Sequence, residues 1–255
     1  TGLIAATRVE LRGVTLQREI LLASAIGDAA IMLAAGELKG RRGAIESYDE
    51  RLVDFDGSMV TVRITPVTGL IDVGRAPDTL LRDLFAVSGG LDNAAAERLA
   101  TAVALRAKRR ADGDDGATFH VPEDLMRVEG FSYSLYAKIS RLIVVGENGG
   151  RVNPHAASPA VLRVLAGGDE QRAQAFIDER RSRGALADTT RFPAAHASGE
   201  ASSRVRIEAL VPLEDGMLVR SRFIDLGSVS PGRAPWWTYR IDAYVSPVVA
   251  AETLN

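Results

Sequence analysis

The chain has 255 residues, of which 46% are hydrophobic and 25% charged, with a formal net charge of −2 and no cysteine. This balance supports one large or two modest buried cores and argues against disorder. It excludes disulfides and thiolate metal sites, and it lacks the basic surplus that marks a nucleic-acid binder.

From Leu3 to Leu38 there is no proline, and Ala, Leu, Ile, Arg and Glu occur in helix-favouring proportions. The spacing predicts one helix of about 36 residues and about 54 Å, with an apolar stripe of Leu11, Val14, Leu22, Ile26, Ala29 and Leu33. Gly36, Gly40 and Gly43 are read as its stop. The longest apolar run here, Ile20 to Ile26, is broken by Ser24 and followed by Gly27-Asp28. It falls short of the roughly 20 residues a membrane span needs, so a soluble chain is expected. A start at Thr1 in place of Met fits cleavage or trimming.

The period then changes. Leu52–Phe55, the turn Asp56-Gly57 and the alternating Val60, Val62 and Ile64 read as a β-hairpin closed by Pro66, because Asp-Gly accepts the positive φ such turns need. Short helices are predicted next, at Pro77–Phe85, Asn93–Arg110, Pro122–Val128, Ser132–Ser140, Pro159–Leu165 and Glu170–Arg183, with one short strand at Leu142–Val145. Ala187 to Ala201 reads as a loop. Strands return at Arg204–Leu210, Met217–Leu226 and Trp236–Val245, the first two joined by Glu214-Asp215-Gly216.

Strands that bracket a helical block predict an α+β fold. A long N-terminal helix packs on an antiparallel sheet, and an all-α domain is inserted between strands. The expected division is 1–66 with 187–255, and 67–186 for the insertion.

Within that block, Ile71-Asp72 through Leu84 aligns at constant offset with Val152-Asn153 through Leu165. Each copy runs from an aliphatic residue and Asp or Asn into a helix with a proline near its start. Pro122 to Ile139 has a helix–hairpin–helix signature with a Gly130 turn, and Phe85 to Leu91 is a looser version. Gly-turn amides at helix starts suit a DNA backbone. The alternative is a compact helical packing unit, which the charge balance favours.

No catalytic constellation is visible, so an enzyme is not expected. His120, His155 and His196 are scattered, without metal-ligand spacing. There is no nucleophile elbow, P-loop or dinucleotide fingerprint. Arg106 to Arg110 reads as cations at a helix C-terminus. Asp112, Asp114 and Asp115 form a carboxylate-rich turn and are the candidate calcium ligands, although EF-hand spacing is missing. No cofactor is required. Leu11, Val14, Leu22, Ile26 and Leu33 are the candidate interface for a partner helix.

Four stretches together resemble the type II secretion minor pseudopilin K family. They are Ala5–Arg12 running on through Gln17, Ala23, Gly27 and Ala30; Val62–Ile64 leading into Gly69–Val73 and Ala76-Pro77; Pro122–Tyr136; and Gly150–Leu165. Where that family has a Trp-Arg-Asp-x-Asp run, this chain has Leu105-Arg106-Ala107-Lys108-Arg109-Arg110-Ala111-Asp112. The resemblance implies a pilin-like fold with a helix-hairpin-helix/SAM-like insertion and a structural role at the pseudopilus tip. It implies minor pseudopilins I and J as partners, periplasmic exposure with an inner-membrane anchor preceding this sequence, and calcium binding. A helix–hairpin–helix nucleic-acid-binding module is the alternative, and the resemblance itself implies no nucleic acid.

Overall fold

The computed structural model describes residues 2–40, 45–55, 57–111, 119–227 and 235–246, and the side chains among them except those of 2–15 and 109–111. The chain forms two compact units. One comprises 1–43, 49–64 and 203–255, the other 44–48 and 65–202.

The first unit is a long helix on a sheet. Helix α1 spans Gly2–Gly40, 39 residues without a break, a rod of about 58 Å at about 1.5 Å per residue. It runs straight through Gly36, which was read as a stop. A glycine on an exposed helical face costs only about 1 kcal/mol, and the buried Leu38 beyond it keeps the last turn docked. By length and composition, Leu16–Gly40 is apolar enough to cross a membrane, with a mean hydropathy of 1.6. Counting uninterrupted runs missed this, because the leucines, isoleucines and alanines on either side keep the mean high across Ser24 and Asp28. In this fold one side of that segment packs on the sheet.

The sheet has five strands: β1 (Asp49–Phe55), β2 (Ser58–Pro66), and, across the sequence gap, Arg204–Leu213, Gly216–Asp225 and Trp237–Ser246. Two short strands fall within that gap, Ile71–Asp72 (β3) and Ile143–Val144 (β4), so the last three are β5, β6 and β7. The order is β1-β2-β5-β6-β7, with β1–β2, β5–β6 and β6–β7 antiparallel. Gly57 takes the positive φ (83°) that the hairpin turn requires, while Asp56 lies outside the described residues.

The second unit is mainly helical. Its α-helices are α2 (Asp78–Asp83), α3 (Asn93–Ala111), α4 (Tyr133–Ile139), α5 (Pro159–Leu165) and α6 (Glu170–Arg183). Pro122–Arg127 is a 3-10 turn, and Leu84–Ser88 extends α2 as a π-helical turn. Leu80, Leu81, Leu84, Phe85, Leu125, Ile139, Leu162 and Phe176 are fully buried in one core, each worth roughly 1.5–3 kcal/mol.

The two aligned segments build the same local structure. Asp72 and Asn153 each accept from the backbone two residues on, Gly74 N–H at 3.1 Å and His155 N–H at 3.0 Å. In each, the main-chain carbonyl of that Asx residue also accepts from three residues on, Arg75 and Ala156, at 3.0 Å. These Asx turns launch α2 and α5. Ile71 pairs in parallel with Ile143, and Val152 bridges in parallel to Ala197. A two-residue strand has no readable period, so β3 escapes sequence analysis.

The second turn is held by Arg180 of α6, whose Nη1 donates to the carbonyls of Pro154, His155 and Ala157 at 3.0, 3.0 and 2.7 Å. Burial pulls its pKa down to about 10, opposed by the Tyr48 hydroxyl, and it stays charged at neutral pH. The boundary between units lies at Ser202/Ser203, not at Ala187 as expected. Phe192 packs edge-on against Phe176 at 5.1 Å, and His196 O accepts from Val152 N–H, so 187–202 belongs to the helical core.

Candidate assembly interface

Helix α1 has two unlike apolar faces. The inner one is Ala23, Gly27, Ala30, Ile31, Ala34, Ala35 and Leu38, all buried, and it packs on β5 and β6. Small side chains let the helix axis approach the sheet closely. At Gly27 a Cβ would stand 2.8 Å from Arg220 Cγ and 3.3 Å from Val211 Cγ2, so no larger residue fits without displacement. The next residue then meets the sheet electrostatically. Asp28 accepts from Arg220 Nε at 3.1 Å and from Nη2 at 3.0 and 2.9 Å, with Arg222 Nη2 at 3.2 Å. Burial raises the Asp28 pKa, but the bonds and charges of Arg220 and Arg222 outweigh it and hold the carboxyl below its ordinary value. Lys39 Nζ donates to Leu226 O at 2.6 Å, and Glu19 accepts from Glu214 N–H at 2.6 Å. Glu37 pairs with Arg51 of β1.

The outer face carries the residues singled out from sequence. Leu22 is 62% exposed, Leu33 59% exposed and Ile26 partly buried. Leu11 and Val14 lie on the same helix, but their side chains are outside the described residues. Sequence reasoning missed Leu21 and Met32 on this face, which are also exposed. It missed the inner face altogether, although Ala23, Gly27, Ala30 and Ala34 recur at helical spacing.

Asp112, Asp114 and Asp115 fall outside the described residues. Among the described residues no three His, Asp or Glu side chains gather as a metal site. An open cleft of about 520 Å³ is lined by Arg82, Asp83, Asn93, Ala94, Glu97 and Gly167, mostly polar and without the apolar walls of a typical ligand pocket. The histidines do not meet. His196 Nε2 pairs with Thr79 Oγ1 at 2.7 Å, His155 lies tilted against the Phe176 ring at 5.6 Å, and burial lowers the pKa of both histidines.

The Gly-turn corners of the second unit are capped by their own side chains. Asp92 accepts from Ala95 N–H, Ser132 from Leu135 N–H and Asp169 from Arg172 N–H. Two of these caps are carboxylates, placed where a phosphate would have to bind. At Arg106 the guanidinium lies over the Phe119 ring at 5.6 Å.

No family model matches the sequence, and no curated protein matches it. Among solved structures, the chain is similar to one from the GspK-GspI-GspJ complex of the enterotoxigenic Escherichia coli type 2 secretion system. The TM-score is 0.54 at 12% identity, over 90% of this chain and 98% of that one. The likeness is one of fold: this chain has the pilin-like helix-on-sheet architecture with a helical insertion, as found in that secretion complex.

Proposed function

We propose that the chain is a structural, non-enzymatic minor pseudopilin of a type II secretion system, of the K type, assembling with pseudopilins I and J at the pseudopilus tip. The observation that carries this reading is the division of labour on α1. Ala and Gly spend one face on the chain's own sheet, while Leu21, Leu22, Met32 and Leu33 leave a bulky apolar face open. Several exposed aliphatic side chains along one helix suit a groove between partner helices. The fold shared with a chain of the GspK-GspI-GspJ complex supports the same partners.

In this reading Leu11, Val14, Leu22, Ile26 and Leu33 contact the sister helices, and the helical unit caps the filament by blocking further addition above it. The protein faces the periplasm and is held at the inner membrane. Calcium, if bound, takes Asp112, Asp114 and Asp115, whose hard carboxylate oxygens suit it but are too few to complete its shell. Mixing the chain with the matching I and J pseudopilins should give a complex by size exclusion. Separate elution at tens of micromolar of each would overturn the assembly role.

A further inference from the structure

On the sheet face that α1 covers, β5 and β6 lie beneath the helix while the outermost strand stays open. In the β6–β7 register Ile241 stands opposite Arg222, Ala243 opposite Arg220 and Val245 opposite Leu218. Residues directly opposite share a face, so these β7 side chains lie on the same side as the arginines that reach Asp28. Ile241 is 57% and Val245 51% exposed. Across from them, Met32 Sδ lies 3.8 Å from Arg222 Nη1. Leu21 falls on the same flank of α1 as Asp28 by helical spacing and is exposed. The result is a groove with apolar walls, Leu21 and Met32 on one side and Ile241 and Val245 on the other, floored by Arg220 and Arg222.

Among the described residues the floor is short of negative charge. Two guanidinium groups share the single Asp28 carboxylate, and Arg220 takes most of its bonding capacity. Arg222 Nε is buried and donates to nothing among the described residues. Its Nη1 faces a thioether, a weak acceptor. A half-buried cation whose Nη1 meets only a thioether, set between aliphatic walls, is complementary to a carboxylate carried on an apolar surface.

The geometry points to this groove as the seat of an amphipathic helix from a partner pseudopilin, which lays aliphatic residues along Met32 and Ile241 and presents a carboxylate to Arg222. This rests on the assembly role proposed above and names the surface and chemistry that role uses. A helix suits the place because the floor is made of side chains, not of unpaired backbone, and anchors at i, i+3 and i+4 fill such grooves.

The chain has no cysteine, so Ile241→Cys carries a single photo-crosslinker attached through a maleimide. Irradiated with the matching I and J pseudopilins, it should form an adduct on the N-terminal helix of one of them, within a turn of an Asp or Glu. Arg222→Glu should weaken the complex by about 30-fold or more, while Arg222→Lys retains most of the affinity. Because Arg222→Glu also faces Asp28, Ile241→Asp on the exposed strand provides a second measurement, with a loss of about tenfold or more expected. An adduct on a sheet, a loop or a second copy of this chain overturns the proposal, as do wild-type affinities for both charged variants while the wild-type complex forms. If the wild-type chain forms no complex at all, the assembly role itself fails.

Discussion

Asp28 of α1 and Arg220 of β6 are joined by three hydrogen bonds between 2.9 and 3.1 Å, and this pair sets the register of the helix on the sheet. Removing the charge leaves two arginines facing each other at a partly buried site. Asp28→Asn should therefore cost about 1–2 kcal/mol at pH 7, less than a fully buried pair because water still reaches both groups. A carboxyl whose folded pKa is depressed stabilises the fold above its unfolded value, and that contribution is lost as pH falls through the folded value. The gap between wild type and Asp28→Asn should thus close below about pH 4. Both tryptophans, Trp236 and Trp237, belong to the helix-and-sheet unit, so urea titrations followed by tryptophan fluorescence at pH 7, 5 and 3 report on this unit alone.

Two glycines of the same helix should respond in opposite ways. At Gly36 an added Cβ meets nothing within 4 Å, so Gly36→Ala should stabilise by about 0.5–1 kcal/mol through helix propensity. At Gly27 the same change drives a methyl into Arg220 Cγ. Gly27→Ala should forfeit that gain, and Gly27→Leu should destabilise by about 1–3 kcal/mol. Equal stabilisation at both sites would mean that close approach is not what holds the helix down.

Leu33 separates folding from assembly. Its side chain is largely exposed, so Leu33→Asp should change the unfolding free energy by less than about 0.5 kcal/mol. The same substitution should weaken the complex with the I and J pseudopilins by at least about tenfold. Thermal melting and size exclusion measure the two effects on one sample.

Arg180 secures the second Asx turn through three carbonyls. Arg180→Ala leaves those acceptors without their donor and opens a gap beside Phe176 and Tyr48, over which the guanidinium lies. A loss of about 2–4 kcal/mol is expected. It should appear in the helical signal by far-UV circular dichroism, while the tryptophan-monitored transition moves less.

Duplex DNA should not bind measurably. The Gly-turn corners place Asp92 and Asp169 at their helix starts, and phosphate contacts would have to displace those caps. Titration of duplex at about 50 mM salt should stay flat. Binding with a steep salt dependence would restore the nucleic-acid alternative.

The parts of the fold that sequence reveals are those where one residue type has one local meaning. Pro159 and Glu170 open α5 and α6 where expected, because Ser158 and Asp169 cap them with their own side chains. The outer face of α1 was readable because large aliphatic residues recur at helical spacing. Its inner face was not, because alanine and glycine carry little hydrophobic signal and matter here for closeness. Phe192 sat in a stretch that reads as loop, and only its ring on Phe176 assigns the segment to the helical core. The Asp28–Arg220 pair joins positions far apart in the chain, which no local pattern announces.

The duplicated turn has a consequence for how the two copies tolerate change. At position 72 both carboxylate oxygens are in use: one takes Gly74 N–H, the other Glu147 and Asn148 N–H at 3.0 and 3.3 Å. At position 153 the side chain must give as well as take, since Nδ2 donates to Glu200 O at 2.8 Å. Asparagine at 72 would aim an amine at two incoming donors, and aspartate at 153 would aim an oxygen at a carbonyl. Two letters that most substitution tables treat as near-synonyms are thus opposite instructions here, and exchanging them would damage both copies though every backbone atom kept its place.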